Sequence, residues 1–163
     1  MKKMLIGILV VVLVLALLLL GALIVQGVQS RKMDAPGLVD GKLAHCPASP
    51  NCFNSEYPDD ASHFTAPIPV PTAHLDGINT TIVVVIETMG GDIQFNDGDY
   101  VASTFQSKLF GFVDDLEVRV DRNASLLQLR SGSRVGYGDM GVNQARVEQF
   151  KTLFNEKVAE KSR

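Results

Sequence analysis

The segment Gly111–Phe150 reads GFVDDLEVRVDRNASLLQLRSGSRVGYGDMGVNQARVEQF, and the rest of the chain is best understood from it. Apolar and polar residues alternate over 115–121 and again over 126–131, as they do in strands with one buried face. Residues 122–125, RNAS, favour a turn between them, so we predict an antiparallel hairpin. The side chains expected to face inward are Leu116, Val118, Val120, Leu127 and Leu129, and those expected to face outward are Glu117, Arg119 and Asp121.

The second half of the segment predicts a loop and then a helix. Four glycines fall within residues 132–141. Asn143, directly after them, suits the N-cap of a helix because its side chain can accept a hydrogen bond from a free backbone N–H. Apolar residues then recur at helical spacing, at Val147, Phe150, Phe154 and Val158. We expect the C-terminal helix to bury this stripe against the strands.

Residues 76–89 carry signals for two different structures. The run 82–86, IVVVI, is β-branched and has strand propensity. On a helix, however, the apolar residues of this region share one face: Leu75, Ile78, Ile82, Val85, Ile86 and Met89. Gly90 and Gly91 then supply a helix stop. We therefore predict a helix over 76–89.

Two further strands complete the predicted sheet. They cover 92–95 and 100–107 and are joined by residues 96–99, NDGD, in which Gly98 can adopt positive φ. With the hairpin they form an antiparallel meander of three or four strands. The predicted fold class is α+β: an N-terminal transmembrane helix, then a two-layer domain with a helix, the meander and a C-terminal helix.

The N-terminal region predicts a membrane anchor. Residues 5–25 contain no charged residue, and a run of about 20 apolar residues matches the hydrocarbon thickness of a bilayer. A cleaved secretory signal is the alternative, but its apolar core is shorter, roughly 7–15 residues. Lys2 and Lys3 weakly favour a cytoplasmic N-terminus. We predict a single-pass protein of the bacterial inner membrane, anchored through residues 5–25, with its C-terminal domain in the periplasm.

Proline content divides the chain into three regions. All seven prolines lie within residues 31–71. Proline removes a backbone donor and fixes φ, so we expect neither a helix nor a central strand there. The predicted regions are an anchor over 1–30, a proline-rich tether over 31–71, and an α+β domain over 72–163.

The tether contains the only two cysteines, Cys46 and Cys52. The two prolines between them bend the short loop, and in an oxidising compartment we expect a disulfide. Histidines near the loop, His45, His63 and His74, raise a metal site as an alternative. The Cys-x5-Cys spacing is not that of a zinc motif, so we predict no metal. Free or redox-active thiols are the third interpretation.

Three motifs occur in order along the chain: CPASPNC at 46–52, FVDDLE at 112–117 and RSGSRVGYGDMGVNQARVE at 130–148. Together they resemble the domain-of-unknown-function 1499 family over about Cys46 to Phe154. Members of that family are mostly bacterial and often follow a membrane segment or an export signal. Phe53 stands where the family more often has valine, and His63 where it commonly has histidine. The resemblance supports the helix over 76–89 and implies no activity.

Charged and polar residues crowd the ends of the predicted elements. Asp114 and Asp115 are adjacent on a strand and should point to opposite faces, so they cannot form a carboxylate dyad. One interpretation is a buried ion pair that fixes the loop, Asp114–Arg134 or Asp139–Arg130. The other is an anion site where arginines meet a helix N-terminus. The candidate cluster comprises Asp114, Asp115, Arg130, Ser131, Ser133, Arg134, Asp139, Asn143 and Arg146.

The composition of the chain and the absence of certain motifs argue against several classes of function. A net charge of −3 argues against nucleic-acid binding. The glycine loop lacks the Gly-Lys-Ser/Thr ending of a P-loop, and no Gly-x-Ser-x-Gly elbow is present. We predict no cofactor and a non-catalytic binding or assembly module whose partner is a protein or a small anionic ligand. The alternatives are a hydrolase or transferase acting on an anionic substrate at 130–143, or a redox or metal-handling module using Cys46 and Cys52.

Overall fold

The computed structural model describes residues 1–161 and contains three α-helices and eight strands over that range. The helices are α1 (Lys2–Ser30), α2 (Ile78–Thr88) and α3 (Val142–Lys161). The strands are β1 (Leu38–Val39), β2 (Lys42–Leu43), β3 (Cys52–Asn54), β4 (Ile68–Pro69), β5 (Asp92–Asn96), β6 (Tyr100–Gln106), β7 (Val113–Asp121) and β8 (Leu126–Ser133). The predicted α+β fold class is confirmed, and so is the helix in the ambiguous region 76–89.

The main sheet is antiparallel with the strand order β3-β8-β7-β6-β5. Strands β5 to β8 form the predicted meander, now with four strands. Within the predicted tether, β3 and β4 both pair with the outer edge of β8. The proline-rich residues 31–71 are therefore folded against the sheet at these two places.

One face of the sheet is covered by α2 and α3. The five side chains predicted to face inward are all buried there, together with Ile82 and Ile86 of α2 and Phe150 and Phe154 of α3. Val147 is also buried, and Val158 packs partly buried against this core. Burial of this stripe stabilises α3, since most helical stability in proteins comes from packing of an apolar face.

The opposite face is covered by residues 33–46, which we call the cover segment. Leu43 of this segment packs with Tyr100 and Ala102 of the sheet in a second small core. The prediction that Glu117 faces outward to solvent is wrong, because its side chain is fully buried beneath the cover segment. Arg119 and Asp121, on the same face, are partly buried. The alternating pattern identified the face correctly, but it carried no sign that a distant segment covers it.

Helix α1 is long and apolar enough to cross a membrane, and no other helix within residues 1–161 meets that description. Its most apolar window is entirely exposed, whereas Gly27 and Ser30 at its C-terminal end are buried against the sheet. The Ser30 hydroxyl accepts a hydrogen bond from the Val113 N–H (3.2 Å) and donates one to the Gly27 carbonyl (2.9 Å). We call the end of the sheet formed by residues 106–113 and 133–134 the junction end.

Candidate functional site

Strand β7 distributes the candidate residues between the two faces of the sheet. Asp114 points toward α3 and Asp115 toward the cover segment, as their adjacent positions on a strand require. Each aspartate meets a different arginine. The candidate cluster is therefore two separate polar groups on opposite sides of one strand.

On the cover face, Arg134 forms a bidentate ion pair with Asp115. Its Nε and Nη2 atoms donate to both carboxylate oxygens over 2.7–3.1 Å. The side chain of Asp115 is only 2% exposed. The remaining nitrogen, Nη1, donates to the carbonyl of Ser30 (3.3 Å) and to that of Met33. Arg134 thus ties the end of α1 and the start of the cover segment to the sheet.

Deeper on the same face, the buried Glu117 carboxylate accepts hydrogen bonds from three donors. Arg130 lies directly opposite it on β8 and donates from Nη1 to Oε2 (2.8 Å). The Tyr100 hydroxyl (2.6 Å) and the Gly37 N–H (3.0 Å) both donate to Oε1. The Arg130 Nε has no hydrogen-bond partner in the described chain, although Arg130 is 5% exposed. Glu117 therefore links β6, β8 and the cover segment.

Burial is the largest influence on the pKa values of Glu117 and Tyr100. It raises the pKa of Glu117, an effect that the Arg130 guanidinium and the Tyr100 hydroxyl oppose by stabilising the carboxylate. Burial also raises the pKa of Tyr100, and the adjacent Glu117 carboxylate raises it further. Tyr100 is consequently held as a neutral donor to Glu117.

An open cleft of about 340 Å³ separates the cover segment from the junction end of the sheet. Its lining includes Arg130, Arg134 and Asp115 from the sheet, with Asp34 and His45 from the cover segment. The two arginines already pair with Glu117 and Asp115. The cleft therefore presents charges of both signs.

The predicted disulfide between Cys46 and Cys52 is confirmed and lies beside the cleft. Cys52 is on β3, opposite Gly132 of β8. A Cβ atom added to Gly132 would lie 3.1 Å from the Cys52 sulfur and 3.5 Å from the Arg130 Nη2. Glycine at this position therefore leaves room for both the disulfide and the guanidinium.

On the helix face, Arg146 of α3 is the centre of the second polar group. Its Nη2 donates to Asp114 (2.9 Å), its guanidinium lies 4.6 Å from the centre of the Phe105 ring, and its Nη1 donates to Ser131 (3.1 Å). Arg146 Nη1 also donates to the Asn143 side-chain oxygen. This group joins α3 to β6, β7 and β8.

Both ion pairs predicted for the glycine loop, Asp114–Arg134 and Asp139–Arg130, are wrong. The two arginines lie on the cover face, whereas Asp114 lies on the helix face. Asp139 instead caps α3, accepting from the Asn143 N–H (2.7 Å) and the Gly141 N–H (3.0 Å). A carboxylate placed before the first turn satisfies the free N–H groups there.

Asn143 is not the N-cap that the sequence predicted. It lies inside α3, fully buried, and its side-chain nitrogen donates to the Asn51 carbonyl (3.1 Å) and to the Ser133 hydroxyl (3.0 Å). Its side-chain oxygen accepts from Ser131 (2.6 Å). The predicted convergence of Arg130 and Arg134 with the start of this helix is therefore not observed.

The histidines take part in local contacts. His45 stacks on Tyr57 with ring centroids 3.4 Å apart. The Nδ1 of His63 lies 2.8 Å from Asp60 Oδ2, and its Nε2 lies 3.1 Å from the Ser49 carbonyl oxygen. Within residues 1–161, no group of three or more histidine, cysteine or acidic side chains is arranged to hold a metal ion.

Residues 42–154 match the sequence model of a family described as "Protein of unknown function (DUF1499)". That match covers more than half of the chain. The chain belongs to the DUF1499 family. No curated protein matches it. The DUF1499 match contains both polar groups, the disulfide and strands β2 to β8, whereas α1 precedes it.

Sequence reasoning missed several residues that organise the DUF1499 domain. Glu117 and Tyr100 appeared as ordinary strand residues, and Gly27 and Ser30 as part of an apolar anchor. A signal for Glu117 was available, because the tight turn at 122–125 sets a register that places it opposite Arg130. The docking of Gly27 and Ser30 leaves no comparable pattern in the sequence.

We expect Tyr100 of this DUF1499 protein to stay protonated for as long as the fold persists. Its pKa is raised above the ordinary value of about 10. Its contribution to stability is therefore fully present below about pH 10 and is lost as the pH rises above that value. Absorbance titration of tyrosinate in the wild type and in Tyr100→Phe should give identical profiles until circular dichroism reports unfolding. A signal from Tyr100 near pH 10 in the folded protein would contradict this expectation.

Proposed function

We propose that this protein is a single-pass component of the bacterial inner membrane that holds a non-catalytic binding or assembly module in the periplasm. Residues 5–25 span the membrane, the N-terminus is cytoplasmic, and the folded domain follows directly on the outer side. The partner is a protein or a small anionic ligand. The observation that carries this proposal is the junction between α1 and the sheet.

The junction supports a retained anchor over a cleaved export signal. Every residue of α1 over 5–25 except the partly buried Leu23 is exposed, and such an apolar surface is favourable in lipid and unfavourable in water. Ser30 at the end of α1 is fully buried and accepts the N–H of Val113. Cleavage after Ser30 would remove the last turn of a helix that is packed into the domain.

Close packing fixes the helix to the domain as well. A Cβ atom added to Gly27 would lie 2.1 Å from the carbonyl oxygen of Phe110, so α1 is in direct backbone contact with the loop that connects β6 to β7. A Cβ atom added to Gly21, about one and two-thirds turns earlier, would meet nothing within 4 Å. The module is therefore held in one orientation to its anchor, as suits an assembly role at a membrane.

The periplasmic location is supported by the disulfide and by the N-terminal charges. Disulfides persist in oxidising compartments such as the periplasm and are rare in the cytosol. Cys46 and Cys52 are bonded to each other. Lys2 and Lys3 at the start of α1 favour a cytoplasmic N-terminus only weakly, because Arg31 and Lys32 follow the helix at its other end.

The non-catalytic interpretation rests on how the reactive side chains are used. The carboxylates of Asp114, Asp115 and Glu117 each pair with an arginine inside the fold. Two of these pairs join β7 to β8 or to the residue that follows it, and the third joins β7 to α3. These three pairs contain only arginine and carboxylate side chains, and they act as structural ties.

One constellation contains the residue types of a hydrolase and has the wrong geometry. Ser62 and Asp60 both approach the same nitrogen of His63, Nδ1, at 3.1 and 2.8 Å. The other nitrogen, Nε2, faces the Ser49 carbonyl. A catalytic triad requires the serine and the aspartate on different ring nitrogens. The Asp60–His63 contact therefore stabilises a loop.

Topology reporters test the proposal directly. Alkaline phosphatase fused to the C-terminus should be active, and a fluorescent protein fused at the same position should not fluoresce. The intact mass of the protein should show that residues 1–30 are retained. Leu13→Arg combined with Leu17→Arg is the matched control, because charges at the bilayer centre disfavour insertion. A C-terminal reporter active only in the cytoplasm would refute the periplasmic location, and a mass lacking α1 would refute the anchor.

A further inference from the structure

We propose that the loop 107–112, which connects β6 to β7, inserts its tip into the boundary between lipid headgroups and acyl chains. This inference rests on the proposed anchoring of α1. The lipid surface recognised is that of the same membrane, with anionic headgroups meeting the basic residues beside the loop. Insertion of the loop would give the domain a second membrane contact besides α1.

The contacts along α1 place the loop on the membrane side of the sheet. Ser30 contacts Val113, the first residue of β7. One turn closer to the apolar run, Gly27 contacts the backbone of Phe110 in the loop. The loop therefore extends from the sheet in the direction in which α1 enters the membrane.

The depth of this contact follows from helix geometry. The continuous apolar run ends at Val25, before Gln26, and Gly27 lies about 3 Å further along the axis at a rise of 1.5 Å per residue. Because Gly27 and the Phe110 carbonyl are in direct contact, the loop lies at the level where the apolar segment ends. That level corresponds to the interfacial zone of a bilayer.

The side chains of the loop suit this zone. Leu109 is 81% exposed, and the rings of Phe110 and Phe112 lie 5.9 Å apart. Lys108 in the loop and Lys32 after α1 are exposed cations. Apolar side chains with adjacent basic residues favour an anionic lipid interface. The loop, SKLFGF, contains no carboxylate to oppose that attraction.

Internal hydrogen bonds hold the loop in shape. Ser107 accepts from the Gly111 N–H (3.1 Å) and, through its hydroxyl, from the Phe112 N–H (3.0 Å), and its own N–H donates to the Phe112 carbonyl (2.8 Å). Gly111 adopts a positive φ of 68°. Arg31 Nη1 donates to the Gly111 carbonyl (3.4 Å). The exposed Leu109 is thus presented outward by a braced loop.

Depth-dependent quenching of a fluorescent label tests the proposal on the full chain. A single added cysteine is labelled without reductant, so that the Cys46–Cys52 disulfide stays closed, and the protein is placed in vesicles of phosphatidylethanolamine and phosphatidylglycerol. The quenchers are spin labels on the lipid acyl chains. Leu109→Cys is the test position, and Leu20→Cys in α1 is the positive control. Ala124→Cys, an exposed residue in the β7–β8 turn at the opposite end of the sheet, is the negative control.

We expect the label at 109 to lose most of its fluorescence, as at 20, while the label at 124 is unaffected. Circular dichroism confirms that each variant is folded. Quenching at 20 without quenching at 109 would overturn the loop proposal and leave the anchor standing. Absence of quenching at 20 would overturn the anchor and with it the loop proposal.

Discussion

Replacement of Glu117 by alanine is expected to lower the free energy of unfolding by about 3–5 kcal/mol, because it leaves a buried cation without its partner. Arg130 is 95% buried and would lose the carboxylate that accepts its hydrogen bond. The Tyr100 hydroxyl and the Gly37 N–H would also lose their acceptor. The cover segment, held over this face partly by Gly37, should loosen. Urea denaturation of the full chain in detergent, followed by circular dichroism, measures the change.

Two further variants make the test specific. Arg122→Ala removes an equally short pair with Asp99 on the exposed β7–β8 turn and should change stability little, since water screens exposed pairs. Glu117→Leu combined with Arg130→Met replaces the buried pair by apolar side chains and should recover most of the loss. A Glu117→Ala variant as stable as Arg122→Ala would show that the buried pair is not what stabilises the cover face.

The buried position of Glu117 shows what an alternating strand pattern can and cannot predict. Alternation assigned residues 115–121 to two faces correctly, because side chains on a strand alternate by geometry. The alternation could not distinguish a face exposed to solvent from a face covered by another segment. The cover segment lies more than 70 residues upstream in sequence, as the contact from Gly37 to Glu117 shows. Prolines in residues 31–71 indicated an irregular segment and carried no information about where it packs.

The polar residues of the glycine loop show a second limit. Their enrichment in one stretch was visible in the sequence, and it led to the predicted pairs Asp114–Arg134 and Asp139–Arg130. The observed partners of Arg134 and Arg146 lie 19 and 32 residues away, on β7. Which partner each arginine meets depends on strand register and on the side of the sheet, and small errors in either exchange Asp114 for Asp115. By contrast, the apolar stripe of α3 was predictable, because one buried face is enough to specify it.

The junction was the least predictable feature. An apolar run of this length indicates a membrane helix and says nothing about contacts beyond its end. Gly27 and Ser30 are small residues that allow close approach of a neighbouring backbone, but each is also common in isolated anchors. Gly27 and Ser30 contact Phe110 and Val113, which are more than 80 residues away in sequence. Only the folded arrangement shows that the end of α1 packs against the DUF1499 domain.

Replacement of Arg134 by alanine is expected to lower the free energy of unfolding by about 3–5 kcal/mol and to free the end of α1. Asp115 would remain buried without a cation, and the carbonyls of Ser30 and Met33 would lose a donor. Hydrogen exchange at the Val113 N–H, which donates to Ser30, should accelerate more than exchange at the distant β7–β8 turn. Arg134→Lys is the matched control: it keeps the charge but cannot form the bidentate pair, so it should lose part of the stability.

Phosphate separates this structural role from the anion site that the sequence also allowed. All three side-chain nitrogens of Arg134 already donate to Asp115 or to the carbonyls of Ser30 and Met33, so thermal melts of the wild type and of Arg134→Ala should differ by the same amount with and without phosphate. An anion site predicts the opposite: Arg134→Ala would melt like the wild type without phosphate and would lose a phosphate-dependent stabilisation. Equal melting temperatures in both buffers would contradict both roles and make Arg134 a solvated charge. The burial of Asp115 beneath Arg134 is the physical reason to expect the structural result.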